Sequence, residues 1–81
     1  MKARTFKREF TTKSGYKGEV TISIDKFGEG SYEVYVDKGT QEDYYLEGWL
    51  SIEGNELVDY DGCFELPKSV TKTLTMNGIT C

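Results

Sequence analysis

The chain contains no histidine, one proline, one tryptophan and two cysteines in 81 residues. Each shortage removes a class of chemistry. Without histidine there is no Ser-His or Cys-His dyad and no imidazole metal site. Cys63 and Cys81 are too few for a disulfide framework or a structural zinc site of their own. No run of about 18 apolar residues is present, so no transmembrane helix is expected. The start, "MKARTFKREF", is cationic but has no apolar stretch and does not read as a secretory signal. A cytoplasmic setting follows as an expectation, with both cysteines as thiols. A Cys63–Cys81 bridge is the alternative, should the tail fold back.

Cations are also missing where acids are densest. Between Gln41 and Glu65 stand Glu42, Asp43, Glu47, Glu53, Glu56, Asp59, Asp61 and Glu65, with no Lys or Arg among them. Tyr44, Tyr45, Trp49 and Tyr60 share that stretch. The net charge of −4 therefore conceals a split. Residues 1–18 carry Lys2, Arg4, Lys7, Arg8, Lys13 and Lys17 against Glu9, whereas residues 19–65 hold thirteen acids against Lys26 and Lys38. One expectation is internal pairing, in which the basic first strand lies beside acidic ones and neutralises about half of the excess. The remainder then faces solvent or a basic partner.

Length predicts one domain, residues 1–81. A chain of this size hides only about 60–65% of the surface its unfolded form exposes, so large exposed aromatics call for a reason. Three runs alternate with period two. In "EVTISID" Val20, Ile22 and Ile24 share a face. In "SYEVYVDK" Tyr32, Val34 and Val36 oppose Glu33, Tyr35 and Asp37. In "YYLEGWLSI" Leu46, Gly48, Leu50 and Ile52 oppose Tyr45, Glu47, Trp49 and Ser51. "TFKREFTT" is a weaker first strand using Phe6 and Phe10. "ELVDY" is a short fifth one, placing Val58 and Tyr60 on one face and Leu57 on the other. The links "KSGYKG", "KFGEG", "DKGTQED" and "EGNE" carry turn residues, the last with Gly54 and Asn55 both able to take positive φ.

The tail changes period. In "ELPKSVTKTLTMNGI" Pro67 suits a first helical position, and Val70 and Leu74 share a face. Gly78 supplies a left-handed stop, and Ile79 falls where it packs back onto Leu74. The expected fold is α+β: a five-stranded antiparallel meander with one C-terminal helix, beginning near Pro67, covering its apolar face.

Other chemistry is weighed and set aside. "DYDG", Asp59 to Gly62, starts like a calcium loop, but the twelfth position from Asp59 is Val70 rather than Glu, and a proline intervenes. Carboxylate pairs serve glycosidases, yet so short a chain leaves little room for a walled pocket. "GEG" at Gly28–Gly30 lacks the Lys-Ser/Thr ending of a phosphate loop. The basic first strand with Phe6, Phe10 and Tyr16 has the residue types for tracking a nucleic-acid backbone, but the acidic whole repels phosphate. No catalytic, cofactor or metal residue is expected, and neither direct nucleic-acid nor membrane binding.

The candidate site is the outer face of the third and fourth strands: Glu33, Tyr35, Asp37, Tyr45, Glu47 and Trp49. Tyr and Trp are good strand residues in their own right. They are also favoured interface anchors, and surrounding carboxylates select a partner rich in Lys and Arg. Regular carboxylates can occupy a basic groove in place of phosphates. In size, acidity, small sheet with one helix and acid-aromatic face, the chain resembles the small acidic proteins of phages and other mobile elements, anti-CRISPR proteins included. That class shares no motif, so no functional residue carries over from it. The resemblance implies obstruction of a basic site on a host nuclease or surveillance complex, in the host cytoplasm. The alternative is an assembly protein that self-associates through its sheet edges.

Overall fold

In the computed structural model, which describes residues 2–37, 44–61 and 66–81, the alternating runs become strands. They are β1 (Arg4–Thr11), β2 (Lys17–Ile24), β3 (Glu29–Asp37), β4 (Tyr44–Glu53) and β5 (Glu56–Tyr60), followed by the helix α1 (Lys68–Met76). The strands form one antiparallel sheet in the order β1-β2-β3-β4-β5, the expected meander with its C-terminal helix.

The turns follow from their glycines. Thr12–Tyr16 and Asp25–Glu29 close the same way. Thr12 N donates to Tyr16 O at 2.8 Å and Asp25 N to Glu29 O at 2.8 Å, while Gly15 and Gly28 each sit at φ 88°. That conformation costs a residue with a Cβ, and glycine adopts it freely. The Asp25 carboxylate accepts from Phe27 N at 2.8 Å and Glu29 N at 3.1 Å, stiffening the second turn. At the β4–β5 turn only Gly54 has positive φ, at 65°; Asn55 does not share it as the sequence suggests, a pattern that fits a turn with glycine first. The β3–β4 link, residues 38–43, lies outside the described residues.

One face of the sheet is apolar. Val20, Ile22, Ile24, Tyr32, Val34, Leu50 and Ile52 pack with Val70, Leu74 and Ile79 into one core, to which Phe6, Phe10, Leu46, Leu57, Tyr60 and Leu66 add partly buried surface. Two glycines make room for aromatic rings. Phe10 lies over its cross-strand partner Gly18, and the Tyr32 ring lies over its partner Gly48, where it meets the Asp61 carboxylate. A strand glycine leaves a gap in the side-chain layer, and a cross-strand ring fills it.

The helix starts one residue later than its proline suggests. Pro67, at φ −55° and ψ 143°, is the N-cap, and its carbonyl accepts from Val70 N at 2.9 Å and Thr71 N at 3.1 Å. At the other end Ile79 N donates to Leu74 O at 3.0 Å and Gly78 N to Thr75 O at 3.1 Å, with Gly78 at φ 83°. These are the two bonds of a Schellman stop, and Ile79 is buried beside Leu74 as that geometry requires. α1 lies over β1, β2 and β3.

Two sequence expectations are corrected. The first concerns β5. Leu57 and Tyr60 both pack on the core, while Val58 is exposed. The register explains it: Ile52 faces Leu57 and Ser51 faces Asp59, so Val58 is an extra residue in a bulge. A bulge inverts the parity of everything beyond it, so Leu57 and Tyr60 reach the same face despite their odd spacing.

The second concerns the basic first strand, whose arginines turn inward to the helix and the β4–β5 hairpin. Arg4 and Arg8 alternate with the outward residues and fall on the inner side, with Phe6 and Phe10. Arg8 Nε donates to Thr73 Oγ1 at 2.9 Å and Nη2 to Ser69 O at 3.3 Å, and its guanidinium stands 5.9 Å from the Phe10 ring centre. Thr73, fully buried, donates its own hydroxyl to Ser69 O at 2.7 Å. Arg4 donates to Asn55 Oδ1 at 3.2 Å and Gly54 O at 3.3 Å, linking the start of β1 to the β4–β5 turn. These arginines hold helix and hairpin through oxygen acceptors.

Candidate functional site

Strand parity and pairing together set the outer face. Its acids are Glu9, Glu19, Glu29, Glu33, Asp37, Glu47, Glu53, Glu56 and Asp59, and its cations are Lys7 and Lys17. Directly opposed positions decide how these charges interact, because Cβ atoms there lie about 4.5–5.5 Å apart. Three opposed pairs are acid on acid: Glu9 with Glu19, Glu33 with Glu47, and Glu53 with Glu56. Among the described strands only Lys17 with Asp37 sets a cation opposite an acid.

All six candidate residues emerge on this face. Glu33, Tyr35 and Asp37 are the outward residues of β3, and Tyr45, Glu47 and Trp49 those of β4. Trp49 is 45% exposed and Tyr45 54%, so β4 keeps its parity through Gly48 and no bulge turns Trp49 inward. The register orders them in rows: Tyr35 beside Tyr45, Glu33 beside Glu47, Ser31 beside Trp49. Asp37 differs from the other acids of the set in that Lys17 faces it from β2. A shallow groove of about 370 Å³ runs between the last two rows, lined by Ser31, Tyr32, Glu33, Glu47, Gly48 and Trp49. Gly48 and Tyr32 form its floor because both turn toward the inner face, leaving only backbone on the outer one.

The Tyr45 hydroxyl donates to Glu47 Oε2 at 3.1 Å. Its phenol is held above the ordinary value, first by desolvation on the sheet, then by the bond to Glu47 and the charges of Glu33 and Glu47. Deprotonation would set a phenolate beside the Glu33 and Glu47 carboxylates. The centre of the face is thus a spot of concentrated negative potential with an aromatic residue on either side.

Residues that sequence reasoning passed over adjoin this face. Glu19 and Glu9 extend the Tyr45–Tyr35 row toward β1, and Glu29 accepts from Ser51 Oγ at 3.3 Å at the other end. Period-two parity alone would have found Glu19 and Glu29. At the β2–β3 turn Phe27 is 77% exposed, with Lys26 Nζ 5.1 Å from its ring centre. Cys81 is an exposed thiol, its pKa pushed up by desolvation; its suggested bridge to Cys63 and the end of "DYDG" fall outside the described residues. No helix among the described residues is long and apolar enough to cross a membrane. Compared with protein-family models, curated proteins and solved structures, the chain matches none.

Proposed function

We propose that the protein is a non-enzymatic interaction module that binds a basic protein surface through Glu33, Tyr35, Asp37, Tyr45, Glu47 and Trp49. The observation that carries this reading is the Glu33–Glu47 pair, opposed across the strands and bordered by exposed Tyr45 and Trp49. Like charges at opposed positions weaken a sheet. A Lys at either place would stabilise it, so the free chain bears a cost that an arriving cation relieves. Arg or Lys reaching the groove would meet two carboxylates, and its stem would lie against the Trp49 ring. Tyr45 and Trp49 supply rigid apolar area on the two sides, as interface anchors do. A surface that takes such a partner suits obstruction of a groove that otherwise holds phosphates. That is the role of a nucleic-acid mimic, of the anti-CRISPR kind, acting on a nuclease or surveillance complex in a host cytoplasm.

The test is affinity capture with the whole chain and with a Glu33→Arg/Glu47→Arg variant. A partner that carries a basic groove, dissociates as salt rises, is displaced by a DNA or RNA duplex and is not retained by the variant supports the reading. A partner held equally by both forms refutes it.

A further inference from the structure

The two edges of the sheet differ. β5 is closed at its start by the segment after the helix: Thr80 N donates to Asn55 O at 2.7 Å and Leu57 N to Thr80 O at 2.8 Å. β1 pairs with β2 along all eight of its residues and, among the described residues, with no strand on its other side. The hairpin bond from Thr12 N to Tyr16 O, at 2.8 Å, sets the phase of that ladder. Antiparallel ladders alternate, so Phe6, Arg8 and Phe10 turn their N–H and C=O groups toward β2. Thr5, Lys7, Glu9 and Thr11 turn theirs outward.

We infer that β1 pairs antiparallel with β1 of a second copy of this chain, about a two-fold axis through Arg8. This register opposes Lys7 to the partner's Glu9 and Thr5 to the partner's Thr11, each twice. All four outward-bonding residues of each copy then meet a residue of the same phase, and the ladder is complete from Thr5 to Thr11. The charges choose the register. Centring one residue earlier sets Lys7 against the partner's Lys7, and one later sets Glu9 against the partner's Glu9, both unfavourable. A lysine in mid-edge ordinarily deters strand addition. Here it finds a carboxylate, and one that needs it, because Glu9 already faces Glu19 within the monomer. On the inner side half-buried Phe6 comes opposite the partner's Phe10 at the close-approach positions of the ladder. The opposing term is Arg8 facing the partner's Arg8 on the axis. Each guanidinium is already drawn to its own helix by Thr73 and Ser69, which spreads that repulsion. The interface is isologous and closes as a dimer. It stands independently of the acidic-face reading, since Lys7 and Glu9 lie outside the six residues of that site.

Sedimentation equilibrium on the wild-type chain, Lys7→Glu, Glu9→Lys and the double swap tests it. Both substituted positions, Lys7 and Glu9, are exposed on the sheet surface, and circular dichroism confirms that each variant folds. A wild-type dimer is expected, weakened about tenfold or more by each single reversal and restored by the double swap to within about threefold of wild type. Amide exchange gives a second readout. Lys7 and Glu9 amides should gain protection as protein concentration rises, while those of Phe6 and Arg8 are protected throughout. A wild-type chain still monomeric at about 1 mM, or a dimer whose affinity is indifferent to the swaps, overturns the pairing.

Discussion

Glu33 on β3 stands directly opposite Glu47 on β4, and the Tyr45 hydroxyl donates to the second of them. The pair sits at the centre of the outer face, where removal of one charge should ease repulsion. Glu33→Lys places a cation opposite Glu47 and should raise stability by about 0.5–1 kcal/mol in urea unfolding. The same change should weaken binding to a basic partner. A loss of stability would show that the two carboxylates are held apart or share a favourable contact.

The same cluster governs the ionisation of Tyr45. Desolvation, the hydrogen bond to Glu47 and the charges of Glu33 and Glu47 hold the folded phenol above its ordinary value of 10.0. A group with a raised folded pKa contributes stability that is complete below the unfolded pKa. That contribution is lost as pH climbs through the folded one. Unfolding should therefore become easier in the alkaline range above pH 10, and phenolate absorbance should show a late-ionising component that diminishes in Tyr45→Phe. Glu47→Gln removes a charge and leaves a weaker acceptor, so it should move that ionisation back toward the ordinary value. An unchanged titration curve would place the Tyr45 hydroxyl away from the carboxylates.

Gly48 tests the filling of the sheet by rings. In a strand, Ala for Gly ordinarily gains about 0.5–1 kcal/mol from lower chain entropy. Here an added Cβ would run into the Tyr32 ring and hydroxyl and the Asp61 carboxylate. Gly48→Ala should instead cost about 1–3 kcal/mol, the usual penalty of overpacking, and Tyr32→Leu in the same chain should recover part of it. Thermal melts of the parent and the two variants decide the matter, and a stabilised Gly48→Ala would refute the packing.

The helix provides the clearest stability test. Leu74 is fully buried in the core, accepts the Schellman bond from Ile79 on its carbonyl and holds α1 on the sheet. Leu74→Ala should cost about 2–5 kcal/mol, a large share of the stability of a domain this small. Equal melting temperatures for the variant and its parent would mean that the helix does not dock there.

Much of this was legible because it rests on local pattern. Period-two alternation placed β2, β3 and β4 with their faces, and the Asn77-Gly78-Ile79 ending predicted the left-handed Gly78 and the return of Ile79 onto Leu74. What escaped depends on pairing across the sheet. Nothing within "ELVDY" marks Val58 as surplus; the bulge exists only against Ser51 and Ile52 of β4. Arg8 alternates with Glu9 in full view, but its acceptors lie about sixty residues away on the helix, at Ser69 and Thr73. The acidic face was legible as a set of residues. The acid-on-acid pairing within it was not, because opposition is a property of register rather than of either strand.

Trp49 carries the sharpest separation between folding and binding. Its neighbours in β4 divide cleanly, Leu50 being fully buried while Trp49 remains 45% exposed at the edge of the groove beside Glu47 and Gly48. Truncating a buried tryptophan costs about 3–5 kcal/mol because a cavity opens in the core. An outward ring leaves no such cavity, so Trp49→Ala should shift stability by less than about 1 kcal/mol. If the ring is an interface anchor, the same change should weaken partner binding by about 2 kcal/mol or more, close to thirtyfold. Charge reversal at Glu47 should act differently, slowing association and flattening its dependence on salt, since carboxylates at the rim steer encounter more than they lock the complex. Stopped-flow association and dissociation rates for the two variants, measured at low and physiological salt, separate these effects. A folded Trp49→Ala/Glu47→Lys variant that binds with wild-type rates would move the contact surface off this face, and exposed Phe27 at the β2–β3 turn would be the next residue to truncate.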